Sequence, residues 1–479
     1  MLSRYLAGSI VALKIASTLA AGVQFAGINI AGFDFGCGTD GTCTTSSVYG
    51  PVPSIPRSGG DGPGQMKHFT TNDKFNIFRL PVGWQFLVNN QLGGTLDATN
   101  LGQYDKLVQA CLTTGAHCII DIHNYARWNG GIIGAAGGPT NDDFSGLWKQ
   151  LATKYAADSR VVMGLMNEPH DMPSISDWAG SVQAAVTAIR GAGATSQMIL
   201  LPGDVYTSAA TFVSGGSAAA LAAVTNPDGS THNLIFDVHK YLDSDSSGTH
   251  PACVRNGISD AFEPLVTYLQ SSNRQALVSE IGGSSNPSCL QYVCEALDFM
   301  NQNSKSILGW VAWAAGSFPA DYVYSLTPHG DTDVPIVTQC FAGKFEGGIG
   351  FGSATDTVGS DTTGSNTAGS DTTGSSTGSG STTASSSTSG TGATPSSSTS
   401  TTSGGTTQPQ PQPPPQPIPI NGNRPNSTGT AVSGGWQYNG QQLQSQSPCK
   451  PNYAAGNVAT SKNRRSNPGK ARLEYEAEQ

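Results

Sequence analysis

Charged side chains are scarce: 24 basic and 33 acidic residues make up only 12% of the 479-residue chain, about half the usual share. A long coiled coil needs dense Glu and Lys, so none is expected. The net charge of −9 has the wrong sign for a phosphate backbone, which argues against nucleic acid as a partner. After residue 22 there is no run of about twenty apolar residues, so neither a transmembrane helix nor a membrane partner is expected. No two cysteines have the C-x2-C spacing of a zinc ribbon. No G-x-G-x-x-G or P-loop follows the first apolar run, which disfavours a doubly wound nucleotide-binding sheet.

What is present is unevenly distributed. Met1 to about Gly22 joins Arg4, an apolar stretch from Leu6 to Leu13 and a run of small residues, the pattern of a secretory signal cleaved near Ala20 or Ala21. Among nine cysteines, Cys37/Cys43, Cys111/Cys118 and Cys289/Cys294 lie close together, Cys253 and Cys340 stand apart, and Cys449 is left over. Eight are read as structural disulfide cysteines, which implies an oxidising, extracellular setting. Residues 346–419 are nearly all Gly, Ser and Thr, then Pro and Gln, the composition of a disordered linker. Residues 420–479 are polar, hold the sequon Asn426-Ser427-Thr428, and read as a disordered tail of unassigned role.

Residues 23–345 are patterned for folding. Eight short apolar, β-branched runs, at 25–31, 75–81, 117–123, 161–168, 198–203, 234–241, 275–281 and 307–315, alternate with longer segments. Leu101–Thr114, Asp142–Ala157 and Ile175–Arg190 show i, i+3, i+4 apolar spacing. Continuous rather than alternating apolar runs suit strands covered on both faces. Eight such β-plus-helix units predict an α/β protein with a (β/α)8 TIM barrel.

The active face of such a barrel lies at the C-terminal ends of its strands. Those ends carry Asn29, Arg79, Asp121, His123, Asn167, Glu168, His239, Tyr241, Glu280 and Trp313. Glu168 and Glu280, on the fourth and seventh strands, face each other across the mouth. Two such acids suit glycoside hydrolysis: one donates a proton to the leaving oxygen and the other attacks or activates water. Arg79 beside one carboxylate would keep it ionised, and proximity of the acids favours a proton on the other. A separation of roughly 5 Å would indicate retention and one near 9 Å inversion. Trp313 shares its strand face with Val311 and Gly309 and reads as a sugar platform, with Trp310 turned outward into the core. Trp84 and Trp128 follow the second and third strands as platform candidates, with Trp84 reading equally well as a loop-packing residue. Trp148 and Trp178, within helical patterns, read as packing residues, and His170 as either a loop-packing or a site residue.

Arg79-Leu80-Pro81, Asp121-Ile122-His123-Asn124, Asn167-Glu168-Pro169, His239-x-Tyr241, Ser279-Glu280 and Trp313 occur in the order found in family 5 glycoside hydrolases. The stretches GINIAGFDFGC, FRLPVGWQ, DIHNYARWNGGIIG, MNEPHD and FDVHKYLDSD resemble the fungal secreted endo-β-1,4-glucanases of that family, over about residues 25–343. The resemblance implies Glu168 as general acid/base and Glu280 as nucleophile of a retaining double displacement. It implies contacts from Arg79 and Tyr241 to the nucleophile and from Asn167 to the sugar 2-hydroxyl, with His123 and His239 shaping the −1 subsite. It also implies the pairing Cys37–Cys43, Cys111–Cys118, Cys253–Cys289 and Cys294–Cys340. Related fungal enzymes often carry a cellulose-binding module on a linker; the tail shows no such module, which argues against firm binding to crystalline cellulose.

The expectation is a secreted, monomeric endo-β-1,4-glucanase acting on a β-1,4-linked polysaccharide without cofactor or metal. A β-mannanase or another β-glycanase would use the same barrel. Asp121-x-His123 and Asp237-x-His239 would suit a metal-dependent hydrolase. The tryptophans alone would suit a non-catalytic carbohydrate-binding protein.

Overall fold

The apolar runs form strands because both of their faces find apolar cover. The computed structural model describes residues 22–345; the expected signal, linker and tail, the Asn426 sequon and Cys449 lie outside that range. The strands are β1 Phe25–Ala31, β2 Ile77–Val82, β3 His117–Ile122, β4 Val161–Gly164, β5 Ile199–Pro202, β6 Leu234–Tyr241, β7 Ala276–Gly282 and β8 Ile307–Gly316. Each pairs in parallel with its sequence neighbours, and β8 returns to β1, closing an eight-stranded (β/α)8 barrel. Apart from His117, every strand residue is buried.

Phe25, Ile77, Ile119, Val162, Leu200, Ile235, Leu277 and Val311 form one cluster with a member from each strand, an apolar plug inside the barrel. Side chains two residues further along a strand share its face. That rule sets Arg79 above Ile77, Asp121 above Ile119, Asp237 above Ile235 and Trp313 above Val311. A polar layer therefore rests on the plug at the strands' C-terminal ends. Trp310 belongs to the outer cluster between sheet and helices, fully buried. Gly309 is required by the pairing of β1 with β8: a Cβ there would run into the Phe25 carbonyl oxygen, so the strands approach too closely for any side chain.

Seven crossover helices cover the sheet: α1 Gly62–Asn72, α2 Ala98–Thr113, α3 Asn141–Tyr155, α4 Ile175–Gly191, α5 Ser217–Ala222, α6 Glu263–Ser272 and α7 Pro287–Gln302. A short helical turn, Val337–Phe341, follows β8. Asp61, Asp97, Thr140, Ser174 and Asn286 cap α1, α2, α3, α4 and α7 by accepting from first-turn N–H groups, each contributing about 1 kcal/mol. Three buried aromatics reach from helices to carbonyls near the active rim. Tyr104 donates to Leu80 at 2.6 Å, Trp148 to Leu165 at 3.1 Å and Trp178 to Pro202 at 2.8 Å.

Four disulfides join Cys37–Cys43, Cys111–Cys118, Cys253–Cys289 and Cys294–Cys340. Cys289 and Cys294 are neighbours in sequence yet do not bond each other. Five helical residues turn the chain through about 140° net, so one cysteine meets the loop after β6 and the other the C-terminal turn. Closing 36- and 46-residue loops contributes roughly 3–4 kcal/mol each in the chain-entropy account. Among the described residues, no helix is long and apolar enough to cross a membrane.

Candidate active site

Arg79, fully buried on β2, organises the polar layer. Its Nη1 donates to Asn29 Oδ1 at 2.9 Å and to Glu280 Oε1 at 2.5 Å, and its Nη2 to Asn167 Oδ1 at 2.8 Å. Nη2 also lies 3.0 Å from Asp121 Oδ1. Burial opposes the guanidinium's charge, but Asp121, Glu280 and Asp237 outweigh it and push the pKa up. Asn29 passes the order on: its Nδ2 donates to the carbonyls of Ser279 at 3.0 Å and Ala312 at 3.2 Å, on β7 and β8. It is a positioning residue beneath the cleft.

Glu280, near the end of β7, is gripped on both oxygens. Arg79 takes Oε1, and the Tyr241 hydroxyl donates to Oε2 at 2.7 Å. Burial would raise its pKa, yet His239, Arg79 and His123, with the Tyr241 hydrogen bond, hold it below the ordinary 4.5. Glu168 has a different setting. The run at 161–168 leaves the sheet after Gly164, and Glu168 sits beyond it with a left-handed φ of 40°. Its side chain is 17% exposed against 4% for Glu280, so it is the more accessible acid. His239 Nδ1 lies 2.8 Å from Glu168 Oε1 and 3.6 Å from Glu280 Oε2. One oxygen of each glutamate and a ring nitrogen of His239 all lie within 4.8 Å of one another, an approach compatible with the short carboxyl spacing of retaining enzymes.

The histidines are fixed by their own partners. His123 Nδ1 pairs with Asp121 Oδ2 at 2.7 Å, and its ring stacks on Trp313 with centroids 5.7 Å apart and planes 15° apart. His239 Nε2 pairs with Ser279 Oγ at 2.9 Å. Burial lowers both histidine pKa values, but Asp121 for His123, and Glu280 with Glu168 for His239, more than reverse it. Burial pushes the Asp237 carboxyl up, against His239 and Arg79.

His123, Asn167, Glu168, Tyr241, Glu280 and Trp313 line one cleft, joined by Tyr125, Ser247, Gly248 and Tyr322. Trp313 contributes to this lining while staying 4% exposed, its Nε1 donating to the Tyr322 hydroxyl at 3.0 Å. Trp84 is a correction. It lies in the single helical turn Trp84–Leu87, is 1% exposed, and packs edge-on against Trp128 at 5.3 Å. It is core, and no sugar can stack on it. Trp128 is partly buried against the core and stands outside the cleft lining. The two Asp-x-His pairs do not share a centre: His123 is held by Asp121 and Arg79 holds Asp121, whereas His239 turns to Glu168 and Ser279. Trp148 and Trp178 are fully buried. His170 packs loops, its nitrogens meeting Asp171 at 2.8 Å and the Thr39 carbonyl at 3.0 Å.

Tyr125, Tyr322, Ser247, Gly248 and Ser279 were missed from sequence. Tyr125 and Ser279 stand inside stretches already singled out there, so that signal was present. The others come from loops that fold back over the mouth, where no periodicity points to the site.

A closed parallel barrel with two close carboxylates at its C-terminal rim is the arrangement that glycoside hydrolysis uses. The model of the cellulase family, glycosyl hydrolase family 5, matches residues 42–316, and the chain belongs to that family. It is 60% identical over 329 residues to endoglucanase EG-II of Hypocrea jecorina, covering 67% of this chain and 78% of the relative. It is 46% identical over 317 residues to the manganese dependent endoglucanase Eg5A of Phanerodontia chrysosporium, covering 65% and 78%. The crystal structure of Cel5A (EG2) from Hypocrea jecorina superposes with a TM-score of 0.66 at 60% identity, covering 68% of this chain and all of that one.

Proposed function

We propose that this protein is a secreted endo-β-1,4-glucanase that hydrolyses internal bonds of cellulose-type glucans with retention, acting as a monomer. The observation that carries the mechanism is the contrast between two glutamates within 4.8 Å. Glu280 is buried, doubly hydrogen-bonded and kept ionised, as a nucleophile requires. Glu168 is the more accessible, as an acid/base that must meet both leaving group and water requires.

In the first step a Glu280 oxygen bonds the anomeric carbon as the glycosidic C–O bond breaks, and Glu168 gives its proton to the departing oxygen. In the second, Glu168 takes a proton from water, whose oxygen displaces Glu280 from the same carbon. Two inversions leave the configuration unchanged. Arg79 and Tyr241 orient the nucleophile, Asn167 is at hand for the 2-hydroxyl, and His123, His239 and Trp313 shape the −1 subsite. The 60% identity to an endoglucanase supports cellulose-type glucan as substrate. Four disulfides support an oxidising, extracellular setting.

Reducing-end release and viscosity on cellulose, mixed-linkage glucan, mannan and xylan test the substrate, and NMR of the first-formed anomer tests the stereochemistry. Glu280→Gln is expected to be inert. Glu168→Gln is expected to keep the first step on activated aryl cellobiosides, whose leaving groups need little protonation. Parent-like rates in both variants, or an α-anomer as first product, would overturn the mechanism; preference for mannan would reassign the substrate.

A further inference from the structure

The loop that follows β6, Asp243-Ser-Asp245-Ser-Ser247-Gly248-Thr-His250, gathers ligating groups beside the cleft. One donor atom each from Asp243, Asp245 and His250 lie within 4.8 Å of one another. His250 Nδ1 is 3.2 Å from Asp243 Oδ2 and 3.4 Å from Asp245 Oδ1. Asp243 is the unusual member. Its side chain is wholly buried, yet only Oδ2 is used, accepting from the Thr249 and His250 amides at 3.0 and 3.1 Å. Oδ1, on the same carboxylate, is buried with no hydrogen-bond partner. A buried, unsatisfied carboxylate oxygen is costly unless something positive meets it. The neighbouring Lys240 ammonium is engaged elsewhere, donating to Ser246 Oγ at 3.2 Å.

The cluster touches the cleft through its own loop. Ser247 and Gly248 are part of the cleft wall with Glu280. Gly248 has a φ of 72°, and a Cβ there would come within 2.7 Å of the Tyr241 ring. Tyr241 in turn donates to Glu280. The loop is also pinned from behind by the Tyr324 hydroxyl, which donates to the His250 carbonyl at 2.9 Å.

We propose that Asp243, Asp245 and His250 Nδ1 form a divalent-cation site that holds the loop against Tyr241. Two carboxylates with one imidazole match a Mn²⁺- or Zn²⁺-class ion better than Ca²⁺, which prefers all-oxygen shells. In such a site the ion would sit between the His250 nitrogen and the two carboxylates that already lie 3.2 and 3.4 Å from it. Asp245 and His250 are half-exposed, so an ion can enter from solvent.

The test uses the full chain, stripped with a chelator and titrated with Mn²⁺ while electron paramagnetic resonance follows the free ion. One Mn²⁺ per chain is expected, with a metal-dependent rise in melting temperature. Asp245→Asn and His250→Ala are each expected to weaken binding about tenfold or more, with metal-free melting measured alongside so that loss of a ligand is told apart from loss of the His250 contact to buried Asp243. Glu168→Gln is expected to bind Mn²⁺ as the parent does. No binding at millimolar Mn²⁺, or binding undiminished in the Asp245→Asn/His250→Ala double variant, overturns the site. Loss of binding in Glu168→Gln would move the ion between the glutamates and also overturn it. Ca²⁺ bound more tightly than Zn²⁺ would remove His250 from the ligand set. None of these readouts requires turnover, so the site stands or falls apart from the glucanase reading.

Discussion

The Tyr241 hydroxyl donates to Glu280 Oε2 at 2.7 Å, the oxygen that the Arg79 fork leaves free. Each oxygen of the proposed nucleophile thus has its own donor, and both favour its ionised form.

That pairing sets the acid limb of the activity profile. Burial alone would raise the Glu280 pKa, but the surrounding charges and the Tyr241 bond lower it beneath 4.5. Activity should therefore rise with pH through a value below that of a free glutamate. Tyr241→Phe deletes one donor to the charged form and should move the limb upward by about one unit. A kcat/KM profile between acid and neutral pH decides it; an unmoved limb would remove Tyr241 from this role.

Ser279 supports His239 from behind, at 2.9 Å from Nε2. Without it the imidazole between the two glutamates loses its orientation. Ser279→Ala is expected to lower kcat about tenfold, the worth of one buried hydrogen bond, with little change in KM. Ser279→Thr, which keeps the hydroxyl, should recover most of the rate. An equal loss in both variants would point to packing alone.

Two tryptophans close in sequence expectation separate in experiment. Trp84→Ala should cost about 3–5 kcal/mol of stability, as for other fully buried large aromatics, and is read by denaturant unfolding. Trp313→Ala should instead weaken short-oligosaccharide hydrolysis, because it removes a ring of the cleft wall and the face on which His123 stacks. If Trp84→Ala unfolded like the parent while losing substrate affinity, the core assignment would fail.

Asp73, just past the end of α1, has its carboxyl pushed up to about 6, by burial first and then by Asp333. Unfolded, it titrates near 3.8, so the folded chain holds the proton longer and stability falls as pH rises between the two values. Asp73→Asn removes that loss. Its melting temperature should exceed the parent's by roughly 1–3 °C at pH 7, and the gain should vanish near pH 4. A gain of equal size at both pH values would assign it to something other than titration.

The barrel was legible because both-face burial writes itself as unbroken apolar runs, and β6 begins and ends where its run does. The fourth run outlasts its strand by four residues. Leu165 and Met166 are as apolar as a strand, but the Leu165 carbonyl goes to Trp148 rather than to a ladder. The site was legible wherever strand periodicity carries a side chain to the rim, as with Arg79 and Glu280. Trp84 failed because an aromatic just past a strand serves core and cleft equally well, and hydrophobicity does not say which. Tyr322 and Ser247 were invisible because the path of a returning loop depends on contacts far away in the chain.

Glu168 has a left-handed backbone, a conformation that glutamate seldom adopts and asparagine tolerates more readily. Its side chain is anchored by His239 at 2.8 Å, and the Pro169 carbonyl beside it accepts from the Tyr206 amide at 2.8 Å, so contacts on both sides hold the residue against its own preference. The rim therefore carries backbone strain at the very residue proposed to move the proton, and an asparagine placed there would lose the acid while easing the chain.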